Sequence, residues 1–262
     1  MKITQIRNAT ITVEYNNVKF LIDPWLMPKD YMEGFEVAIN SNIRQPRVEL
    51  PFEIKDIVNI DAVIVTHIHP DHWDEFAKNA IDKNKKIFTQ NEFDRDYLKK
   101  EGFLDVDIIN EKGTDYKNIS LYKINCEHGK RELVKPLCNI AGIEYDAMGV
   151  IFKSDSEKTL YILGDTIWCD EVNSAIDKFN PEIAVINGCE ATLLNGARLI
   201  MGIEDTKKVL DKKQIEKVII SHMDTVSHLK LTRKDYEKFK KENNIEKMLI
   251  PLDGETIKID NI

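Results

Sequence analysis

The sequence is poor in cysteine, has no long apolar run and carries no excess of positive charge. Its four cysteines, Cys126, Cys138, Cys169 and Cys189, form no CxxC pair. That spacing fits neither a disulfide scaffold nor a thiolate zinc site, and four reduced thiols are expected. Purely apolar stretches stop at four residues, as in Ala62-Val63-Ile64-Val65. A membrane-spanning helix needs about 20, so no membrane crossing is expected. The first fifteen residues lack an apolar core and a small-residue cleavage site, so no signal peptide is expected and the cytoplasm is the expected location. Lysine and arginine number 37 against 45 acidic residues, a net charge of −8. A negative surface repels phosphate backbones and anionic lipids, so neither nucleic acid nor membrane is an expected partner. The lysine clusters near residues 83–86, 207–213 and 238–241 alternate with acids and read as solvated helix faces.

Several catalytic signatures are also missing. There is no Gly-x-Ser-x-Gly elbow, which removes a serine triad on that plan. There is no Gly-x-Gly-x-x-Gly and no Gly-Lys-Ser/Thr loop, which removes the common nucleotide fingerprints. What remains is an ordinary globular balance, 42% apolar and 31% charged over 262 residues. No linker, repeat or composition shift divides it, so residues 1–262 read as one domain.

Apolar alternation at 3–7 and 10–15, with a further apolar run at Val18–Ile22, predicts opening strands, and Asn16-Asn17 reads as a two-residue hairpin turn. Residues 25–60 show no clear period and predict a long loop with at most a helical turn. Its Trp25, Met27, Tyr31, Met32 and Phe35 suit a cover over a site. From residue 61 short apolar strands alternate with amphipathic helices. Strands are expected at 61–66, 86–89, 106–109, 119–124, 148–153, 159–163, 182–186, 217–220, 248–250 and 256–259. Helices are expected at 75–83, 93–100, 170–178, 203–210 and 232–241. The class is layered α/β or α+β.

Six histidines are present, and three fall in Thr66-His67-Ile68-His69-Pro70-Asp71-His72, directly after an apolar strand. In extended chain, side chains two apart share a side. His67 and His69 can therefore reach one cation, while Pro70 turns Asp71 and His72 toward a second. Imidazole and carboxylate suit zinc and other first-row divalent ions. His128, Asp165 and His222 each follow the end of an apolar strand, the edge at which α/β proteins collect ligand sites. Gly129 and Gly164, next to two of them, fit close backbone approach. Cys126, two residues before His128, is left out of the ligand set. His228 has no strand before it and reads as a capping, surface or supporting residue. Glu190 has no assigned role.

These residues resemble the metallo-β-lactamase fold superfamily. The likeness runs through Asp23-Pro24, the 66–72 motif, His128, Gly164-Asp165-Thr166 and His222. Ile200-Met201-Gly202, Ser221-His222-Met223-Asp224 and Pro251-Leu252-Asp253-Gly254-Glu255 are similar to the branch that contains ascorbate-phosphate lactonase-type hydrolases. The resemblance implies a four-layer αββα sandwich of two related halves. It implies one metal held by His67, His69 and His128, a second held by Asp71, His72 and His222, and Asp165 bridging them, with Asp23 bracing the histidine loop.

The function expected is metal-dependent hydrolysis of a small ester, lactone or phosphoester by a metal-activated water, with Asp71 and Asp165 as the catalytic carboxylates. Two divalent ions are expected, zinc first, with manganese or iron also accepted. The partner is a small-molecule substrate, and homo-oligomerisation is open. The competing readings are an iron-dependent, sulfur dioxygenase-like oxidoreductase on the same fold and a non-catalytic metal-binding protein.

Overall fold

The opening residues pair as the alternation predicts. Strands β1 (Lys2–Arg7), β2 (Thr10–Tyr15) and β3 (Val18–Ile22) form an antiparallel meander. Asn16 and Asn17 turn between the last two with φ of 48° and 61°, the left-handed pair that a tight hairpin demands. The computed structural model describes residues 1–260, and residues 261 and 262 of the expected unit lie outside the described residues.

After a long loop and the single turn α1 (Ile54–Ile57), the chain alternates β4 (Ala62–Ile64), α2 (Glu75–Ala80), β5 (Lys86–Thr89), α3 (Glu92–Lys100) and β6 (Val106–Ile108). The second half repeats this order. An antiparallel set, β7 (Thr114–Tyr116), β8 (Ile119–Asn125), β9 (Met148–Lys153) and β10 (Leu160–Ile162), is interrupted by α4 (Arg131–Ala141). A parallel set follows: α5 (Asp170–Phe179), β11 (Ile183–Asn187), α6 (Ile203–Leu210), β12 (Lys217–Ser221), α7 (Arg233–Glu242) and β13 (Met248–Leu249). Strand β14 (Thr256–Lys258) returns to pair with β1.

Two seven-stranded sheets result, ordered β14-β1-β2-β3-β4-β5-β6 and β13-β12-β11-β10-β9-β8-β7. Each is antiparallel in one part and parallel in the other, the parallel stretches being β3 to β6 and β10 to β13. The sheets pack face to face through alternate residues: Val13, Tyr15, Phe20 and Ile64 from one, and Leu121, Val150, Phe152 and Val185 from the other. The opposite faces are covered by helices. Leu21, Val63 and Ile87 meet Ala77 of α2 and Leu98 of α3, while Tyr161, Ile186 and Ile220 meet Val172 of α5, Val209 of α6 and Tyr236 of α7. This is the αββα sandwich. Among the described residues no helix is long and apolar enough to cross a membrane.

Two elements escape the sequence reading. Helix α4 contains Pro136, which removes one backbone hydrogen bond and reads as a breaker. Its amphipathic pattern nevertheless buries Val134 and Cys138 against Ala38, Tyr145 and Leu193. Strand β7 is three residues long and half exposed, too short and polar to signal itself.

Phe152 joins the sheets. Its ring meets Phe20 edge-on at 5.2 Å and Tyr15 at 5.6 Å. Phe152→Ala should cost about 3–5 kcal/mol of unfolding free energy in a denaturant titration, and a loss below about 1 kcal/mol would show that the inter-sheet core does not rest on it.

Candidate metal centre

Parallel strands bring their C-terminal ends to one edge, and the candidate residues stand there. His67 follows β4, His128 follows β8, Asp165 follows β10, His222 follows β12 and Asp23 follows β3. All are buried. The fold brings the seven expected ligand residues into one cluster. Ring centroids of His67 lie 4.3 Å from His69, 4.1 Å from His72 and 5.3 Å from His128, and those of His72 and His222 are 5.4 Å apart. Potential ligand atoms lie within 4.8 Å of one another in three groups: His67, His69 and His128; His67, His72 and Asp165; and Asp71, His72 and His222. Asp165 stands between the outer two. Its Oδ2 is 3.2 Å from His72 Nε2, 3.7 Å from His128 Nε2 and 3.9 Å from His222 Nε2.

Each imidazole has one nitrogen tied to an outer partner. His69 Nε2 donates to the Glu144 carbonyl at 2.7 Å, and His128 Nδ1 donates to the Leu199 carbonyl at 3.1 Å. His72 Nδ1 donates to Asp23 Oδ2 at 2.8 Å. The Thr66 hydroxyl donates to the same Asp23 oxygen at 2.7 Å, so it accepts from His67 Nδ1 at 3.0 Å. His222 Nδ1 faces Cys189 Sγ at 3.5 Å. These contacts place the outer protons and turn each inner nitrogen toward the cluster, where as a lone pair it can bind a cation. Asp23 thus orders two histidines, one directly and one through Thr66. Asn187 Nδ2 donates to Asp165 Oδ1 at 2.6 Å and leaves Oδ2 inward. Asn8 Nδ2 reaches Asp71 Oδ2 at 3.4 Å and His222 Nε2 at 3.2 Å.

The backbone is strained to hold this arrangement. Asp23 and His222 take φ of 46° and 59°, a region costly for residues with a Cβ. The His222 amide donates to the Asn8 carbonyl at 2.9 Å, and the neighbouring Ser221 hydroxyl donates to the same oxygen at 3.0 Å. At Gly164, with φ of +70°, a Cβ would lie 2.4 Å from the Met148 carbonyl; at Gly129, with φ of +75°, it would lie 2.6 Å from the Arg198 carbonyl. Both positions require glycine, one beside Asp165 and one beside His128.

Without a cation the cluster is electrostatically tense. Burial, with His72 and His69 alongside, pushes His67 well below its ordinary pKa, and burial with the neighbouring His128 brings His69 down to about 4. Burial works against the charge of Asp71 and Asp165, yet His72 and His222 hold both below the usual carboxylate range. Burial likewise opposes charge on His72, but Asp165, Asp71 and Asp23 raise it to about 10. His67 Nε2 is buried with no hydrogen-bond partner, and His72 Nε2 is buried with only the Asp165 carboxylate beside it. Buried polar atoms are rarely left so, and a divalent ion satisfies both while replacing the protons that balance the carboxylates. The residues present therefore fit a metal.

A cavity of about 490 Å³ opens onto the cluster. Phe35, Val37 and Ala38 form one wall, Val134, Leu137, Cys138, Ile140 and Ile143 another, and Leu193 and Leu199 a third. The long loop reaches the site through residues 35–38. Trp25 instead packs in the core and Tyr31 bonds Glu75 at the surface. Cys126 turns its Sγ to the Leu163 carbonyl at 3.2 Å, outside the cluster. Glu190 lies against Gly202 at the start of α6. His228 is buried on the cavity wall. Sequence reasoning missed Asn8, Thr66, Asn187 and Cys189. Asn187 ends strand β11, so the strand-end rule that picked out Asp165 also reaches it; the others act through contacts that no local pattern records.

The β-lactamase superfamily domain model matches residues 19–223. The chain belongs to the β-lactamase superfamily. It is 43% identical over 258 residues to the UPF0173 protein YddR of Bacillus subtilis (strain 168), covering 98% of this chain and 99% of that protein. Two solved structures superpose over 99% of both chains. One is an isothiocyanate hydrolase from Delia radicum gut bacteria, with a TM-score of 0.93 and 39% identity. The other is a possible metal-dependent hydrolase from Veillonella parvula DSM 2008, with a TM-score of 0.94 and 42% identity. With its His/Asp cluster in place, this superfamily member is a metal-dependent hydrolase of the metallo-β-lactamase fold.

Asp23→Ala removes the brace of His72 and Thr66. Metal affinity, measured by competition with a chromophoric chelator, should fall about 10- to 100-fold with the fold retained. An unchanged affinity would show that Asp23 does not order the ligands.

Proposed function

We propose that the enzyme holds two divalent ions and hydrolyses a small, neutral, apolar electrophile, with an organic isothiocyanate as the leading substrate class. The observation that carries this is the cavity. Its walls are mostly aliphatic and aromatic, and among the described residues no lysine or arginine lines it. A phosphoester or phosphorylated lactone would find no cationic side chain there. An apolar group on a compact electrophilic carbon would be desolvated by the walls and held against the cluster. The relative that is an isothiocyanate hydrolase supports the same class.

His67, His69 and His128 would hold one ion, and Asp71, His72 and His222 the other, with Asp165 between them. Zinc suits both positions, and the carboxylate of Asp71 makes the second more tolerant of manganese or iron. The close approach of Asp71, His72 and His222 favours the dinuclear hydrolase over a mononuclear iron oxidoreductase. When bound, such ions lower the pKa of a water and polarise the electrophile.

The chain supplies placement and proton handling. The apolar walls exclude bulk water. Asp71, oriented by Asn8, is placed to take a proton from the attacking water and return it to the leaving nitrogen. For R–N=C=S the balance is R–N=C=S + H2O → R–NH2 + O=C=S. The water oxygen bonds to carbon, both water protons end on nitrogen, and the carbon–nitrogen bond breaks. No oxidant or reductant is needed.

Zinc-loaded protein should release amine from benzyl isothiocyanate, with kcat/KM for bis-p-nitrophenyl phosphate at least about 100-fold lower. A phosphodiester preferred over the isothiocyanate, or no turnover of the isothiocyanate, would overturn the substrate class.

A further inference from the structure

His228 differs from the other five histidines. They each tie one ring nitrogen to an outer partner and turn the other toward the cluster. The His228 ring is buried on the cavity wall at 4% exposure, and Nδ1 is buried with no hydrogen-bond partner. Among the described residues neither of its ring nitrogens has one. Buried polar groups are normally paired, so an unpartnered imidazole facing a cavity marks where a ligand bonds.

The ring is nevertheless held in place. Phe35 meets it edge-on at 5.2 Å and 77°. The Thr192 amide donates to the His228 carbonyl at 3.0 Å, the Ser227 amide donates to Gln45 Oε1 at 3.0 Å, and Asn40 Nδ2 donates to the Ser227 carbonyl at 3.2 Å. A group held this rigidly loses little entropy when it binds.

Its chemistry is that of a neutral donor. Burial brings its pKa down to about 4, so near neutral pH the ring is uncharged. A buried N–H without a partner is disfavoured more strongly than a buried lone pair, so the proton belongs on Nε2 rather than on the enclosed Nδ1. Apart from the five cluster residues that line it, His69, Asp71, His128, Asp165 and His222, the polar side chains on this wall among the described residues are the exposed Glu36 and the weakly bonding Cys138. Among the described residues, no other buried side chain of the lining outside the metal cluster can donate a strong hydrogen bond to a bound molecule.

We propose that His228 is the substrate-contact residue of this cavity: its Nε2–H donates to the heteroatom beside the electrophilic carbon and aims that carbon at the metal cluster. The assignment rests on the reading of the cavity as the substrate site. The apolar walls then select the organic group, and His228 sets its orientation. Loss of a buried hydrogen bond to substrate lowers turnover without touching the metal ligands.

The test compares zinc-loaded wild type, His228→Phe and His228→Gln. Phenylalanine keeps a ring against Phe35 without a donor, and glutamine restores an N–H donor. Benzyl isothiocyanate and p-nitrophenyl acetate are both assayed, with metal content and thermal stability measured on the same samples. His228→Phe should keep its metal and melting temperature and lose about 10- to 100-fold in kcat/KM, with His228→Gln recovering at least part of the loss. If the wild type turns over the ester and not the isothiocyanate, the substrate class fails and the ester comparison decides the role of His228. His228→Phe within two-fold of wild type on the substrate used, or a loss equal in Phe and Gln variants, overturns the contact. Loss of metal or of folding in both variants makes His228 a structural residue and also overturns it. Inactivity of the wild type on both substrates overturns the cavity reading and the assignment together.

Discussion

Two carboxylates and five imidazoles buried within a few ångströms of one another govern the rest of this structure. Such groups cannot all carry their solution charges out of water. The protein resolves the conflict with outer hydrogen bonds that place each proton away from the centre. Asp23 takes two of them at one oxygen, from His72 and from the Thr66 hydroxyl. The inner atoms, among them His67 Nε2 without a hydrogen-bond partner and His72 Nε2 beside Asp165 Oδ2, then face a common volume. A divalent cation there satisfies the donors and neutralises Asp71 and Asp165.

The sandwich places this charge where it can be tolerated. The hydrophobic contacts between the sheets and beneath the helices fix the strands, so residues that follow strand ends converge without needing to pack against one another. The strained backbone at Asp23 and His222 is held by hydrogen bonds to neighbouring elements: the Asp23 carboxylate accepts from the Thr66 amide at 2.7 Å, and the His222 amide donates to the Asn8 carbonyl. The second of these contacts ties the first sheet to the second at the edge where the site lies.

Much of this was legible in the sequence. The 66–72 run announces metal chemistry because imidazoles two apart in extended chain point the same way. Strand-end placement found His128, Asp165 and His222 because apolar runs are local signals. Gly129 and Gly164 were legible for a similar reason, since close approach leaves no room for a side chain. The cavity was not legible. Its walls come from residues 35–38, 134–143, 191–199 and 228, segments that share no pattern, and one of them is a helix masked by Pro136. His228 follows no strand, so its burial becomes visible only once Phe35 is placed beside it. Asn8, Thr66 and Cys189 act through single long-range contacts. On the function proposed above, the apolar cavity narrows the chemistry, because walls without a lysine or arginine among the described residues suit a neutral substrate.

The most direct test is a count and location of bound metal. Protein purified without chelator, stripped and then reconstituted with zinc, should hold two ions per chain by elemental analysis. Anomalous scattering from crystals should place one among His67, His69 and His128 and the other among Asp71, His72 and His222, with Asp165 touching both. Protein that stays metal-free after reconstitution with zinc, manganese and iron, or that binds its ions away from these residues, would contradict the account.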